Sequence, residues 1–281
     1  MLKIGIVGYG FVGKAIKDGF NKSTTFFIVD PKKNTTIEDL VPFDPDVVFV
    51  CVPTPMNEDG SQNSSILMKV FKEIDEKLSK TGLLVLKSTV TPDNLKNIRN
   101  TFPKLIYNPE FLRENFAKKD FINSSMVILG GPQKEAKKLK RFYVKHSACK
   151  TKEYIITDLI TASFIKYTLN TFLATKVVFF NQLFSLYKKS LCEEDWSNFI
   201  KYLSIDERIG TSHMQVPGPD GRYGYGGACF PKDMSAFYNF SKTIGDEFTL
   251  LSIAMNINSD LRASYEKLNR EKEQNISFKK K

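Results

Sequence analysis

The sequence contains few of the residues that build metal centres or disulfide frameworks. It has four cysteines and two histidines among 281 residues, and no two cysteines form a C-x-x-C pair. Disulfide scaffolds and structural zinc sites need clustered cysteine or histidine side chains. We therefore expect no metal site, and free thiols favour a reducing, cytoplasmic environment.

Long uncharged hydrophobic runs are also absent. The most apolar segment, residues 159–187, is interrupted by Lys166, Asn170, Lys176 and Asn181. A membrane-spanning helix needs about 20 nearly uncharged residues. The N-terminus runs at once into glycines, whereas a secretory signal continues with a long apolar stretch and a cleavage site. We therefore expect neither a membrane segment nor export.

The chain is basic, with 41 Lys and Arg residues against 31 Asp and Glu residues and a formal net charge of +10. Nucleic-acid binding needs clustered basic residues with interleaved aromatics. Outside residues 262–281, a tail that ends in three lysines, the sequence lacks this clustering. We expect the tail to be solvated and frayed, and no nucleic acid to bind.

A glycine-rich turn follows the first predicted strand and opens a helix. Gly8, Gly10 and Gly13 have the spacing in which the first glycine permits the turn and the second lets a pyrophosphate approach the backbone. The third allows the helix to pack closely on the strand. Asp30 ends the next strand, where a carboxylate accepts hydrogen bonds from ribose hydroxyls and repels a 2′-phosphate. The pattern predicts NAD rather than NADP.

The pattern of apolar residues predicts an α/β fold followed by helices. Strands that are apolar on both faces alternate with helices, one of them over about residues 65–80, which is typical of a Rossmann-type, doubly wound parallel sheet. From Asp158 a spacing of three and four residues predicts a long helix. We expect a dinucleotide-binding domain over 1–156, an all-helical domain over 157–268 and a charged tail over 269–281.

Cys229 is a candidate nucleophile. It follows the glycine-rich segment 224–227 and precedes Pro231, which suits the first turn of a helix. A helix dipole stabilises a thiolate at this position, and Lys232 adds positive charge. A buried structural cysteine is an equally open interpretation. Cys51, inside an apolar strand, is expected to be an inert packing residue.

Two pairs of polar residues are further candidates. Glu110 and Glu114 are four residues apart, so on a helical turn they would share one face, toward solvent or in a cleft. Lys166 and Asn170 have the same spacing on the predicted long helix. Buried polar groups need partners, which a cleft with an anionic ligand would supply, whereas a solvent-facing stripe needs none. The residues alone leave these alternatives open.

Seven segments together resemble the UDP-glucose/GDP-mannose dehydrogenase family. They occur in the family's order and span residues 1 to about 260. The matching segments are G-Y-G-F-V-G at 8–13, V-P-T-P at 52–55, K-S-T-V at 87–90, N-P-E-F-L-R-E at 108–114, I-K-Y-T-L-N-T-F-L-A at 165–174, D-E-R-I-G at 206–210 and G-Y-G-G-A-C-F-P-K-D at 224–233.

The resemblance implies an NAD-dependent, four-electron oxidation of a nucleotide sugar from the C6 alcohol to the carboxylate, with UDP-glucose favoured. Cys229 would capture the intermediate aldehyde as a thiohemiacetal, and a second hydride transfer would give a thioester that water hydrolyses. The implied catalytic residues are Cys229, Lys166 and Asn170 for a developing oxyanion, Asp233 and Thr89 for a water in proton transfer, and Glu110 as general base in hydrolysis.

The resemblance also implies binding residues. The NAD contacts would be Gly8, Gly10, Phe11, Val12, Gly13, Asp30, Thr54, Thr89, Glu114 and Lys232. The sugar-nucleotide contacts would be Glu110, Phe111, Leu112, Arg113, Glu114, Lys166, Asn170, Arg208 and Gly226. Because Arg208 matches an arginine that reaches a neighbouring subunit, the resemblance implies a homodimer, with the helical domain as the dimerisation domain. Polysaccharide biosynthesis is the implied context.

Two departures from the family pattern bear on the substrate. We expect the family's further C-terminal nucleotide-binding domain to be missing, because the chain stops where that domain would begin. The segment between Arg208 and Cys229 is longer than in the commoner form, and we hypothesise that Arg222 in this segment contacts substrate phosphates. The alternatives are the same chemistry on UDP-N-acetylmannosamine or GDP-mannose, a two-electron hydroxyacid dehydrogenase, or a non-catalytic NAD-binding subunit that needs a partner chain.

Overall fold

The computed structural model describes residues 1–78 and 82–278 and divides the chain into two compact units. The N-terminal unit comprises Met1–Thr54 and Asn63–Lys166, and the C-terminal unit comprises Pro55–Gln62 and Tyr167–Lys281. Residues 79 and 80, at the end of the helix predicted over 65–80, lie outside the described residues. So do the three terminal lysines.

The N-terminal unit contains a seven-stranded sheet. The strands are β1 (Leu2–Val7), β2 (Thr24–Val29), β3 (Val47–Val50), β4 (Leu83–Leu86), β5 (Ile106–Tyr107), β6 (Val127–Gly130) and β7 (Tyr154–Thr157). Their order is β2-β1-β3-β4-β5-β6-β7. Neighbouring strands pair in parallel except β5 and β6, which are antiparallel. The predicted doubly wound sheet is confirmed, with one antiparallel pairing in it.

Helices connect these strands and cover the sheet. They are α1 (Phe11–Gly19), α2 (Ile37–Leu40), α3 (Ser65–Lys77), α4 (Pro92–Thr101), α5 (Ala117–Ile122) and α6 (Gln133–His146). Neighbouring residues of a strand point to opposite faces. In β3, Val48 and Val50 therefore belong to one cluster of buried side chains, whereas Val47 and Phe49 belong to another. Both faces of the strand are covered, as expected for a sheet that is apolar on both sides.

The N-terminal unit ends ten residues later than the predicted boundary between residues 156 and 157. The next helix, α7 (Leu159–Lys189), has its first two turns in this unit. Leu159 and Ala162 are buried in one of the cores of the sheet, and the Ser163 hydroxyl donates a 2.7 Å hydrogen bond to the carbonyl oxygen of Val90. These contacts place the start of the helix with the sheet.

The C-terminal unit is built of helices. It contains the remainder of α7, α8 (Trp196–Leu203), α9 (Phe230–Thr243), α10 (Thr249–Arg262) and α11 (Asn269–Glu273). The segment Pro55–Gln62 belongs to this unit, because the backbone N–H of Met56 donates to the carbonyl oxygen of Gln274 and the Ser235 hydroxyl donates to that of Gly60. None of the described helices combines the length and the apolar character needed to span a membrane.

The expectation that residues 269–281 form a solvated, frayed tail is wrong for the described part. Glu271, Gln274 and Ile276 are buried, and α11 forms within this segment. The high charge density of the segment predicted exposure to solvent. One of its carboxylates is instead buried against an arginine, which balances its charge.

Candidate functional site

The glycine-rich turn joins β1 to α1 with the geometry that its spacing predicts. Gly8 has a φ of +91°, and a Cβ atom there would lie 2.8 Å from the carbonyl oxygen of Cys51. A Cβ atom on Gly13 would lie 2.3 Å from the carbonyl oxygen of Gly8. At Gly10, by contrast, no described atom lies within 4 Å of an added Cβ. The turn is therefore closed where strand and helix pack and open where a phosphate would approach.

Asp30 stands directly after β2 and is bonded to this turn. Its Oδ2 accepts a 2.6 Å hydrogen bond from the backbone N–H of Tyr9, and its Oδ1 accepts a 2.9 Å bond from that of Lys32. Each carboxylate oxygen keeps a lone pair for a ribose hydroxyl. Phe11 and Val12 form the start of α1, where the helix dipole favours a phosphate. The turn, the carboxylate and the helix start together fit a bound dinucleotide.

Thr54 and Thr89 follow the neighbouring strands β3 and β4, and the structure brings them together. The Thr54 hydroxyl donates a 2.9 Å hydrogen bond to the carbonyl oxygen of Thr89, and both residues are buried. The Ser88 hydroxyl donates to the carbonyl oxygen of Val52 at 2.6 Å, which joins the same two loops again. In open α/β sheets ligands bind at the carboxyl ends of the strands. Both predicted cofactor residues lie at that edge.

Lys166 and Glu110 form a buried ion pair in the N-terminal unit. The Lys166 Nζ donates a 2.6 Å hydrogen bond to the Glu110 carbonyl oxygen and lies 3.5 Å from its Oε1. The two side chains are only 3% and 7% exposed. The ammonium also lies 5.0 Å from the centre of the Phe111 ring, a favourable cation–π distance. Lys166 is therefore buried with partners, and its interpretation as part of a solvent-facing stripe is wrong.

Glu110 and Glu114 do not share a helical face. Glu110 is buried in a non-helical segment, whereas Glu114 is exposed and begins a short 3-10 helix. The Glu110 Oε2 accepts a 2.6 Å hydrogen bond from the backbone N–H of Leu112. Such a local bond from side chain to backbone competes with helix formation. Further along, Arg113 forms a two-pronged ion pair with Asp120, with contacts of 3.0 and 2.7 Å.

Cys229 immediately precedes the first residue of α9, as predicted. It is half-buried, Pro231 lies in the first turn, and the Cys229 carbonyl oxygen accepts a 3.0 Å hydrogen bond from the backbone N–H of Asp233. The residue therefore stands at the positive end of the helix dipole, which is the arrangement that stabilises a thiolate.

Asp233 lies one helical turn after Cys229 and is held by two other predicted residues. The Asn170 side-chain amide donates a 2.6 Å hydrogen bond to Asp233 Oδ2, and Lys232 pairs with Oδ1. The Asp233 side chain is 1% exposed and that of Lys232 is 12% exposed. Asn170 is buried too. The C-terminal unit thus brings two predicted residues, Asn170 and Lys232, to a third, the buried carboxylate of Asp233, which is close in sequence to a thiol.

The other three cysteines differ from Cys229 in their surroundings. Cys51 packs against the hydrophobic core, and burial raises the pKa of its thiol to about 12. Burial also raises the pKa of Cys149, whereas Cys192 is exposed and lies three residues after the end of α7. A thiol with a raised pKa stays protonated at neutral pH and is a poor nucleophile. The predicted packing role of Cys51 agrees with this.

The two arginines that were predicted to contact the substrate differ in exposure and in hydrogen-bond partners. The Arg208 side chain is 89% exposed and pairs with its near neighbour Asp206. Arg222 donates a 2.6 Å hydrogen bond from Nη1 to the carbonyl oxygen of Glu266 and lies over the Tyr265 ring. Its guanidinium is thus engaged inside the C-terminal unit, and the hypothesis that it contacts substrate phosphates gains no support from this position.

A buried polar cluster escaped the sequence analysis. Lys87 is 4% exposed and donates a 3.1 Å hydrogen bond from Nζ to Asn108 Oδ1, which also accepts a 2.6 Å bond from the Tyr143 hydroxyl. Burial lowers the pKa of Lys87 to about 8. With Glu110, these residues line a cavity of about 30 Å³, which is large enough for a water molecule. Lys87 and Asn108 begin two of the segments that match the family, 87–90 and 108–114, but the sequence pointed to no role for either side chain.

Two models of one protein family match the chain. Residues 31–146 match the NAD binding domain of the UDP-glucose/GDP-mannose dehydrogenase family, and residues 160–260 match the central domain of the same family. The two matches together cover more than half of the chain. The first match identifies the cofactor of the N-terminal unit as NAD, in agreement with the glycine-rich turn and Asp30.

Individual relatives agree with these matches. The UDP-glucose 6-dehydrogenase of Rickettsia bellii is 36% identical over 206 residues, which are 70% of this chain and 45% of that protein. This chain therefore spans about half the length of such relatives.

Solved structures extend the agreement to the fold. A UDP-glucose dehydrogenase from Pyrobaculum islandicum has a TM-score of 0.79 at 24% identity, covering 92% of this chain and 68% of its own. The 3-hydroxyisobutyrate dehydrogenase of Mycobacterium tuberculosis has a TM-score of 0.70 at 16% identity, covering 96% and 97%. At these levels of sequence identity, the two similarities establish the fold of this chain and nothing about its activity. Because two models of the family match most of the chain and the motifs occur in the family's order, the chain belongs to the UDP-glucose/GDP-mannose dehydrogenase family.

Proposed function

We propose that this protein is an NAD-dependent nucleotide-sugar 6-dehydrogenase that oxidises a C6 alcohol to the carboxylate, with UDP-glucose as the favoured substrate. The observation that carries the proposal is the start of α9. There Cys229 stands at the positive end of the helix, and one turn later the buried Asp233 is held by Asn170 and Lys232. A simple hydride transfer to or from a hydroxyacid has no use for such a thiol.

The thiol has a defined role in this chemistry. A first oxidation converts the primary alcohol to the aldehyde. The Cys229 thiolate adds to the aldehyde carbon to give a thiohemiacetal, and a second hydride leaves that carbon to form a thioester. Water then cleaves the carbon–sulfur bond, which releases the carboxylic acid and restores the thiol. The balance is one alcohol, two NAD and one water, giving one carboxylate, two NADH and three protons.

The N-terminal unit supplies cofactor binding and a charged pair. Bound NAD accepts the hydride in each oxidation. Gly10 and the start of α1 would hold its pyrophosphate, and Asp30 its adenosine ribose. Lys166 would stabilise negative charge that develops on the sugar oxygen, because its ammonium is buried, where such an interaction is strong. Glu110, next to it, would act as the general base that activates water for thioester hydrolysis.

The remaining predicted residues would bind or orient the reactants. Asn170 and Asp233 would orient groups near the thiol, since each is buried and they are bonded to one another. Besides the glycine-rich turn, the start of α1 and Asp30, the proposed cofactor contacts are Thr54, Thr89, Glu114 and Lys232. The proposed sugar-nucleotide contacts also include Phe111, Leu112, Arg113, Arg208 and Gly226. UDP-N-acetylmannosamine and GDP-mannose are the alternative substrates, and a non-catalytic NAD-binding subunit with a partner chain is the alternative role.

Counting NADH tests the proposed chemistry. With NAD in excess, the wild-type protein should form two NADH for each nucleotide sugar consumed, in a panel that contains UDP-glucose, UDP-N-acetylmannosamine and GDP-mannose. Cys229→Ser should form no second NADH, because the thioester cannot form. The matched control is Cys192→Ser, which removes an exposed thiol and should keep the wild-type count. One NADH per sugar in the wild type would reveal a two-electron enzyme, and no NADH with any sugar would favour a non-catalytic subunit.

We also propose a homodimer that forms through α7. Phe172, Phe179 and Leu186 recur every seven residues on this helix, and their side chains are 64%, 60% and 64% exposed. Apolar residues with this spacing form one stripe along a helix, which a second copy of the helix can cover. Phe179→Glu should therefore convert a dimer to a monomer, because it puts a charge into the covered stripe.

Light scattering during size-exclusion chromatography measures this change directly. Lys188→Glu is the matched control, since Lys188 is exposed on α7 on the side opposite Phe179 and its substitution should leave the dimer intact. A wild-type protein that stays monomeric at all concentrations, or a Phe179→Glu variant that stays dimeric, would contradict the proposed interface.

A further inference from the structure

Buried polar side chains hold the backbone of the glycine-rich loop that leads to Cys229. The Asn181 Oδ1 accepts a 2.9 Å hydrogen bond from the backbone N–H of Gly224. The Asn258 side chain pairs with both backbone groups of Tyr225, accepting at 2.7 Å and donating at 3.0 Å. Buried hydrogen bonds of this kind select one backbone conformation, because breaking one leaves an unsatisfied polar group.

Glu271 supplies another bond to this loop, two residues before the cysteine. Its side chain is 1% exposed, and its Oε1 accepts a 3.0 Å hydrogen bond from the backbone N–H of Gly227, two residues before Cys229. Its Oε2 accepts a 2.8 Å bond from the backbone N–H of Leu268. A carboxylate at this depth requires such donors, since an isolated buried charge is strongly unfavourable.

Arg262 balances the charge of Glu271. Its Nη2 lies 3.1 Å from Glu271 Oε1, its Nη1 lies 2.8 Å from Asp220 Oδ2, and its own side chain is 1% exposed. A Cβ atom on Gly226 would lie 2.0 Å from Arg262 Nη2 and 2.6 Å from Glu271 Oε1. The absence of a side chain at Gly226 therefore lets this ion pair reach the loop backbone.

These two residues lie outside the matched part of the family's central domain. That match ends at residue 260, whereas Arg262 ends α10 and Glu271 lies in α11. The hydrogen bond to Gly227 is therefore made by a segment beyond the match.

We propose that Glu271 is a positioning residue for Cys229. By accepting the Gly227 N–H while paired with Arg262, its carboxylate fixes the loop conformation that presents the cysteine at the start of α9. The proposal rests on the proposed function for its effect on catalysis, but the contact itself exists whatever the protein oxidises. A displacement of about 1 Å at a reacting group can cost up to about 100-fold in rate, so small losses of order in this loop are large in effect.

The Glu271→Ala variant tests the proposal. The matched control is Glu273→Ala, which removes an exposed carboxylate from the same short helix. The first variant should speed deuterium exchange at least about 10-fold in a peptide covering residues 223–230, because a hydrogen bond to a charged group is lost. It should also lower kcat about 10-fold and change the KM for NAD less than about 2-fold. The control should change none of these quantities. Glu271→Gln keeps an acceptor oxygen and should recover part of the kcat loss.

One further measurement needs no variant. In the wild-type protein, NMR should show the Gly227 amide exchanging at least about 100-fold more slowly than in an unfolded chain. Fast exchange there, or unchanged loop exchange in a folded Glu271→Ala protein, overturns the proposal. Absence of NADH formation in the wild type would instead overturn the proposed function, and the exchange measurements would still decide the role of Glu271.

Discussion

Lys166→Met is expected to lower kcat about 100- to 1,000-fold, the range found when a donor to a developing oxyanion is removed. The ammonium is the buried cation beside Glu110, and methionine keeps most of the side-chain volume without the charge. The KM for NAD should stay within about 3-fold of wild type, because the glycine-rich turn and Asp30 hold the cofactor in the proposed binding mode. Steady-state kinetics with the sugar identified by NADH counting provide both constants.

The first hydride transfer isolates this effect. In a single turnover on the alcohol, the Lys166→Met variant should be slow already at the first NADH, since negative charge develops on the sugar oxygen in that step. Lys188→Met removes an exposed lysine from the same helix and should react at the wild-type rate. A Lys166→Met protein that folds and keeps kcat within about 3-fold of wild type would exclude the proposed role.

The fold followed from the sequence because its main signals are local. The β1 strand, the glycine-rich turn and the start of α1 occupy consecutive residues, and at Gly8 and Gly13 a Cβ atom would clash with the backbone. The apolar period also located α7. The unit boundary was missed because the packing of Ala162 and the hydrogen bond of Ser163 join residues distant in sequence, which local patterns do not report.

In the candidate site, too, features that depend on neighbouring residues were predictable from the sequence, whereas contacts between residues distant in sequence were not. The position of Cys229 before α9 was predictable, since glycines and Pro231 mark the helix start. The pairing of Lys166 with Glu110 was not predictable from spacing, because 56 residues separate them. The same spacing argument failed for Glu114, since a local bond from the Glu110 carboxylate to the backbone displaces the helical turn that it assumed.

Residues that position others are the hardest to find in a sequence. Asn181, Asn258 and Glu271 come from three different helices and act on the backbone of one loop, so no motif contains them together. Glu271 moreover lies in a segment whose charge density favours a solvated interpretation. The structure reverses that interpretation because Arg262, which is also buried, supplies the opposite charge.

Lys87 gives the second large prediction, on stability. Burial lowers its pKa from 10.5 to about 8, so the folded protein disfavours the charged amine. Between these two pH values the unfolded chain holds a proton that the folded protein has released. Raising the pH through this window therefore favours folding, and below about pH 8 the cost of burying the charge is present in full. The difference corresponds to about 3 kcal/mol in the free energy of unfolding.

Lys87→Met removes this contribution, and urea unfolding at several pH values measures it. Relative to the Met variant, the wild-type protein should gain about 3 kcal/mol between pH 8 and pH 10.5, because titrating groups that do not interact with Lys87 are common to both and cancel. Lys104→Met, at an exposed position, should follow the wild-type curve. Asn108 keeps the Tyr143 hydroxyl as a donor in the Met variant, so its acceptor oxygen is not left unsatisfied. If wild type and Lys87→Met instead run parallel through this window, Lys87 has an ordinary pKa and the buried cluster tolerates the charged amine without cost.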